Sequence, residues 1–193
     1  MPYDHLPEFV KRLRASDNVA ALALEFLILT ATRTSETLGM QWDEIDRHNA
    51  VWVVPSTRMK TGEAFPVPLS DRALDLLAEA RRVARKPPGP DSFVFSGVIP
   101  KRPLSNMALA MLLRRMNVGV TVHGFRSSFR IWASEIGHVE FEIAESCLSH
   151  RVGNAVSRAY NRSNLLERRR PVMASWANYV EGKSDAKVVA ING

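Results

Sequence analysis

One stretch constrains this chain more than any other. Val19 to Ala31, VAALALEFLILTA, is apolar nearly all round, broken only by Glu25 and Thr30. A helix without a polar face must be covered on every side. A membrane span needs about 20 apolar residues, and Val19–Leu29 is far shorter. The segment therefore reads as the central helix of a water-soluble core, with the polar run Ser16-Asp17-Asn18 available to cap it. A chain of 193 residues is long enough for such a core; at this size roughly 70% of the unfolded surface is buried. Cys147 is the single cysteine, so no intrachain disulfide forms and a thiolate zinc site is disfavoured. With 46% hydrophobic and 24% charged residues the chain is neither disordered nor fibrous. The first residues carry Asp4 and Glu8 and no apolar run behind a basic start, so they do not read as a secretory signal. A soluble, cytoplasmic protein is expected.

The remaining patterns supply the covering elements. Leu6–Ala15 is amphipathic, with Phe9, Val10 and Leu13 on one face. Thr34 or Ser35 opens a short helix through Met40. The pattern then turns β: Ala50–Val54 is a strand, Thr61-Gly62 a turn, and Phe65–Leu69 extended, with Pro66 and Pro68 confining it to an edge. Ser70 caps a helix to about Ala84, Lys86–Asp91 is a surface loop, and Phe93–Phe95 is a short extended piece. Further helices are expected from Ser105 to about Met116 and through the stripe Phe125, Phe129, Trp132 and Ile136 until Gly137. Three more cover Glu140–Leu148, Asn154–Tyr160 and Asn164–Val180, the last kinked or restarted at Pro171. The fold class is mainly α with a small antiparallel β-sheet inserted after the third helix. Trp42 and Trp132 are expected in the core, with Met107, Met111 and Met116 as gap-fillers.

Charge is unevenly divided. Residues 1–96 carry 12 Lys/Arg against 13 Asp/Glu, whereas residues 97–193 carry 14 against 7. That imbalance points to a polyanionic partner, most simply nucleic acid. Several basic residues stand out. Arg33 ends the central helix and opens the next, with Glu36 one turn on to hold its guanidinium. Lys60 lies at the tip of the presumed hairpin, beside Arg58. His123 and Arg126 share a face at a helix start, a natural anion site. His150 follows a helix, and Tyr160 lies ten residues further among Arg151, Arg158 and Arg162. Taken singly these read as a surface arginine, a turn lysine, a capping histidine and a packed tyrosine.

Their order changes the reading. Arg…Lys…His-x-x-Arg…His…Tyr, with the acidic residue three after the first arginine, resembles the tyrosine recombinases, or phage integrase family, and within it the integrases of prophages and genomic islands. The likeness is carried by TATRTSETLGMQWDEID (30–46), RMKTGEAFPVPLS (58–70), PLSNMALAMLLRRM (103–116), TVHGFRSSFRIWASE (121–135) and LSHRVGNAVSRAYNRSNLLERRR (148–170). It implies a catalytic-domain fold with a three-stranded sheet, spanning residues 1–180, a flexible tail at 181–193, and the family's arm-binding and core-binding domains absent. It implies Tyr160 as nucleophile, Arg33 and Arg126 as phosphate clamps, Lys60 as general acid, His123 and His150 in the two histidine positions and Glu36 in support. Arg58, Arg151, Arg158 and Arg162 are further candidate DNA contacts. Double-stranded DNA at attachment sites is the implied substrate, with self-association into a tetramer on DNA, accessory DNA-bending or directionality proteins, no membrane and no cofactor.

The chemistry calls for these residue types. A phosphodiester attacked by a phenolate gains negative charge on its equatorial oxygens, and two guanidiniums grip those oxygens without losing their own charge. Tyrosine is only ~0.1% phenolate at neutral pH, so neighbouring His and Arg must ease the loss of its proton. A phosphotyrosyl link conserves the energy of the broken bond, so rejoining needs no ATP. A non-catalytic DNA-binding module that keeps the fold is the alternative; loss of one of the six central residues would have marked it, and none is lost. Of the other tyrosines, Tyr3 lacks basic neighbours and Tyr179 reads as packing with Trp176 and Val180. An exposed Met173, Trp176 and Val180 stripe would mark the last helix as docking on a second copy; a buried one would exclude it. Arg168-Arg169-Arg170 reads equally as a DNA contact or a solvated face.

Overall fold

The computed structural model describes residues 1–16, 18–84, 86–97, 102–150 and 165–183. The expected helix at Asn154–Tyr160 and most of the expected tail lie outside these residues.

The apolar run is the centre of the molecule, as its composition demands. It forms α2 (Val19–Thr30), started by Asn18, whose side chain accepts a hydrogen bond from the Ala21 amide at 3.0 Å. Ala20 through Thr30 are buried apart from Leu22, which is partly so. Around it lie α1 (Leu6–Arg14), α3 (Thr34–Leu38), α4 (Asp71–Val83), α5 (Ala108–Arg115), α6 (Gly124–Glu135) and, at the end of the described chain, α8 (Leu165–Val180). The short helix α7 (Phe141–Cys147) packs on α6 and α8.

The sheet is antiparallel in the order β1 (Ile45–Asp46), β2 (Val51–Val54), β3 (Phe65–Pro68), with Trp52 opposite Val67 and Ile45. β3 is an edge, as its two prolines require. Arg169 covers that edge: its guanidinium donates to the Pro66 carbonyl at 2.9 Å and lies over the Phe65 ring. Phe93–Phe95 stays outside the sheet, where Phe93 makes an isolated bridge to Gln41.

Four local expectations are corrected. α5 starts at Ala108 without a side-chain cap, three residues after Ser105. Met107 and Met111 are exposed, and Trp42 is only partly buried, with Arg81 over its ring. The stripe of α6 ends at Trp132, because the helix stops before Ile136, which is 40% exposed. There His138, at φ 47°, takes the left-handed position, and Gly137 sits tightly: a Cβ on it would lie 3.1 Å from a Val139 methyl and 3.3 Å from the Trp132 ring, so those side chains would have to give.

α8 is one helix with Pro171 inside it. Tertiary contacts hold both sides of the proline, through Arg168–Glu140 and Arg169–Pro66 before it and buried Met173 and Trp176 after it. Met173, Trp176 and Val180 are all buried within the same chain, and the Trp176 indole donates to the Ile28 carbonyl at 2.7 Å. Docking of that stripe on a second copy is thereby excluded. Trp176 instead joins Phe129, Trp132 and Tyr179 in an aromatic cluster worth about 0.5–1.5 kcal/mol per ring pair beyond area burial.

Candidate active site

The C-terminus of α2 builds one wall of the site. The sequence TATRTSET forces a sharp exit: Ala31 takes a left-handed conformation, φ 51°, and three buried hydroxyls bridge the corner, Thr30 to Thr32 at 2.9 Å and Thr32 to Thr37 at 2.7 Å. Arg33 is thereby set at the N-cap of α3. Glu36, buried at 2% exposure, accepts from the Arg33 amide at 2.8 Å and from its guanidinium at 2.7 Å. One carboxylate thus caps the helix and aims the arginine.

Arg126 comes from the first turn of α6 and is itself buried, at 4% exposure. It donates to the Ala31 carbonyl and, at 2.7 Å, to the Leu148 carbonyl, so it ties α2 to the end of α7. Its Nη2 also lies 3.4 Å from His150 Nε2. Of the five N–H donors of a guanidinium, these contacts with the described residues use three. Burial and, second, the positive charge of Arg33 push Arg126 down to about 10. It stays charged at neutral pH, at a cost to folding on the order of 3 kcal/mol.

α7 presents His150 through a left-handed turn. Ser149 has φ 52°, its amide returns to the Ser146 carbonyl at 3.1 Å, and the His150 amide returns to the Glu145 carbonyl at 3.0 Å. This helix ending usually carries glycine at the left-handed position. Serine here has a use: its hydroxyl accepts from the Arg33 guanidinium at 2.6 Å. His150 Nδ1 lies 2.7 Å from Glu145 Oε2, and Arg130 binds the other oxygen of Glu145 while lying over the Phe141 ring. Partial burial raises the Glu145 carboxyl, but hydrogen bonds from His150 and Arg130 outweigh it and hold the group below its ordinary value.

Among the predicted residues, Arg33, Glu36, Arg126 and His150 are brought together. Lys60 is exposed on the turn between β2 and β3, and His123 is exposed at the N-cap of α6. Arg58 turns inward to Glu44, packed against Gly39, where a Cβ would lie 2.7 Å from its Nη1. Tyr160, Arg151, Arg158 and Arg162 lie outside the described residues. Arg169 is buried and Arg170 reaches the Ala50 carbonyl at 3.3 Å, so both are spent on structure, whereas Arg168 is half exposed and makes a surface pair with Glu140. Cys147 is buried and its thiol is pushed up to about 12, which makes it inert. Among the described residues no group of His, Cys, Asp and Glu could hold a metal ion. No described helix is long and apolar enough to cross a membrane.

Sequence reasoning missed Ser149, Glu145 and Arg130. The available signals were slight: Arg130 follows Arg126 by one helical turn, and Glu145 is the acidic residue nearest before His150.

Comparison with known proteins places this geometry. Residues 2–167 match the model of the phage integrase family. Prophage integrase IntA of Escherichia coli (strain K12) is 34% identical over 191 residues, covering 96% of this chain and 45% of that protein. The integrase of Shigella phage Sf6 is 30% identical over 188 residues, covering 95% and 48%. The chain thus spans about half the length of these curated relatives. The fold resembles that of a lambda integrase tetramer bound to a Holliday junction, with TM-score 0.57 at 19% identity, over 82% of this chain and 46% of that one. A lambda integrase dimer bound to a COC′ core site is similar at TM-score 0.57 and 18% identity, over 85% and 48%. With most of its length matched by the family and its arginines, glutamate and histidine meeting in one place, the chain belongs to the phage integrase family.

Proposed function

We propose that this chain supplies the catalytic centre of a site-specific DNA recombinase, which integrates or excises DNA by cutting and rejoining strands through Tyr160. The observation that carries the reading is the convergence of Arg33, Arg126 and His150, where the buried Arg126 guanidinium meets no carboxylate among the described residues. In the cleavage step the Tyr160 phenol oxygen bonds to the scissile phosphorus and the bond from phosphorus to the 5′ oxygen breaks. The phenol proton passes to a base in the His and Arg cluster. Lys60, on its exposed turn, gives a proton to the departing 5′ oxygen. Arg33 and Arg126 hold the equatorial oxygens as charge builds on them, in a site where little reorganisation is needed. His123 stands at the start of α6 to contact the same phosphate. The product is a 3′-phosphotyrosine and a free 5′ hydroxyl, and the reverse step with another 5′ hydroxyl rejoins the strands. Neither a metal nor ATP enters this balance.

Residues 1–180 form the catalytic unit in this reading, and Arg151, Arg158 and Arg162 are its further DNA contacts, while Arg58, turned inward to Glu44, is not. Double-stranded attachment sites are the substrate, and four copies assemble on DNA, with accessory bending or directionality proteins. The lambda integrase structures, a dimer on a core site and a tetramer on a Holliday junction, support both. The work is done in the cytoplasm of a bacterial cell, where that DNA lies. The 193-residue chain by itself should bind weakly and salt-sensitively, because phosphate contacts release counterions.

A nicked suicide DNA carrying the attachment site tests the reading, with wild type beside Tyr160→Phe, in EDTA, on a denaturing gel. A covalent adduct from wild type alone is expected. An adduct that persists in Tyr160→Phe, or none from either this chain or the full-length protein, would refute it.

A further inference from the structure

We infer that Glu145, braced by Arg130, is a positioning residue that holds His150 with its Nδ1–H turned away from the phosphate site and its Nε2 lone pair turned into it. The inference rests on the strand-transfer reading above.

The geometry leaves little freedom. His150 Nδ1 is 2.7 Å from Glu145 Oε2, and a carboxylate only accepts, so the imidazole must donate there. Its Nε2 faces Arg126 Nη2 at 3.4 Å, and a guanidinium only donates, so the neutral ring accepts there. Both contacts select the Nδ1–H tautomer. The same Arg126 holds the scissile phosphate in that reading, so the Nε2 lone pair lies at the edge of the reaction centre.

Glu145 cannot drift from this role. One oxygen is taken by Arg130, which arrives from α6 and is stacked 4.9 Å from the Phe141 ring centroid. Its backbone carbonyl receives the His150 amide, so the same residue fixes both the turn and the ring. Among the described residues the charged groups around the ring are Glu145 on α7, Arg126 on α6 with Arg130 behind Glu145, and Arg33 with Glu36 on α3 across the Ser149 hydroxyl. A carboxylate behind an imidazole sets its tautomer and orientation, and loss of such a partner typically costs 10–100-fold in function.

The test compares the full chain with Glu145→Ala and Glu145→Gln. The ring 15N shifts of His150, assigned by their loss in His150→Asn, are read at mildly alkaline pH. Wild type should show the Nδ1–H form, and Glu145→Ala should revert toward the Nε2–H form that dominates in a free histidine. Suicide-substrate cleavage should fall about 10–100-fold in Glu145→Ala, with DNA affinity unchanged. Glu145→Gln keeps a carbonyl oxygen as acceptor, so it should retain the tautomer and recover part of the rate; it also carries the test if the alanine variant melts early. An Nε2–H tautomer in wild type, equal cleavage by Glu145→Ala, or no advantage of Gln over Ala with both folded would overturn the inference. Absence of any adduct from both this chain and the full-length protein would instead overturn strand transfer, while the tautomer would still decide how His150 is held.

Discussion

Two buried charge clusters hang on the same helix, and they are built in opposite ways. At the middle of α2, Glu25 is 2% exposed and bound by Arg14 at 2.6 Å and Arg72 at 2.8 Å, with Glu79 holding the far side of Arg72. Burial alone would lower Arg72, but its bonds to Glu25 and Glu79 outweigh this and hold it above its ordinary value. At the end of α2, Arg126 meets carbonyls, a histidine nitrogen and the charge of Arg33, and it is pushed down to about 10. The first cluster is satisfied by its own chain. In the second, Glu36 and Glu145 act on Arg126 only from a distance and no described carboxylate bonds to it; in the proposed reaction a phosphodiester takes that place. Burial of an arginine therefore says little by itself; whether its counter-charge is already present separates a structural ion pair from a ligand site.

That contrast can be broken by substitution. The largest effect is expected from Arg126→Lys, which keeps a charge but loses the planar fork: cleavage should drop on the order of 10³-fold in single-turnover assays, with the fold retained by circular dichroism. Next is Glu25→Gln, which takes from Arg14 and Arg72 the buried carboxylate they share and leaves them only Glu181 and Glu79. Urea unfolding should show a loss of about 3 kcal/mol, and the folded fraction should cleave at the wild-type rate. Ser149→Gly relieves a left-handed serine and removes the hydroxyl from Arg33. Stability should change by less than about 1 kcal/mol, while cleavage falls about tenfold. The smallest effect is ligand stabilisation. Inorganic phosphate at ten times its Kd adds about 1.4 kcal/mol, so the melting temperature of wild type should rise by about 3–6 °C. Arg126→Lys should lose most of that rise, and Glu25→Gln should keep it.

The legible part of the molecule follows the same division. α2 was readable because an all-round apolar helix has one possible place, and β3 because two prolines have one possible place in a sheet. Asn18 and Ser70 cap their helices as side chains of that type do. The residues of the site were readable through their types and order, and Arg33, Glu36, Arg126 and His150 do meet. What escaped depends on third partners distant in sequence. Ser149 shows its purpose only when Arg33 arrives from 116 residues away, and Glu145 only when Arg130 and the turn at Ser149 bring both beside His150. The Met107 and Met111 exposure and the unbroken α8 escaped for a related reason. Local propensity places a residue on an element, and packing decides which face is covered or whether a proline is tolerated.

The most direct test is a crystal structure of the chain with attachment-site DNA broken at the cleavage point and orthovanadate in place of the scissile phosphate. The expected result is vanadium bonded to the Tyr160 phenol oxygen, its equatorial oxygens held by Arg33 and Arg126 and the Nε2 of His150 beside them. DNA seated elsewhere, or vanadate bound without Tyr160 while Arg126 keeps only its protein partners, would contradict it.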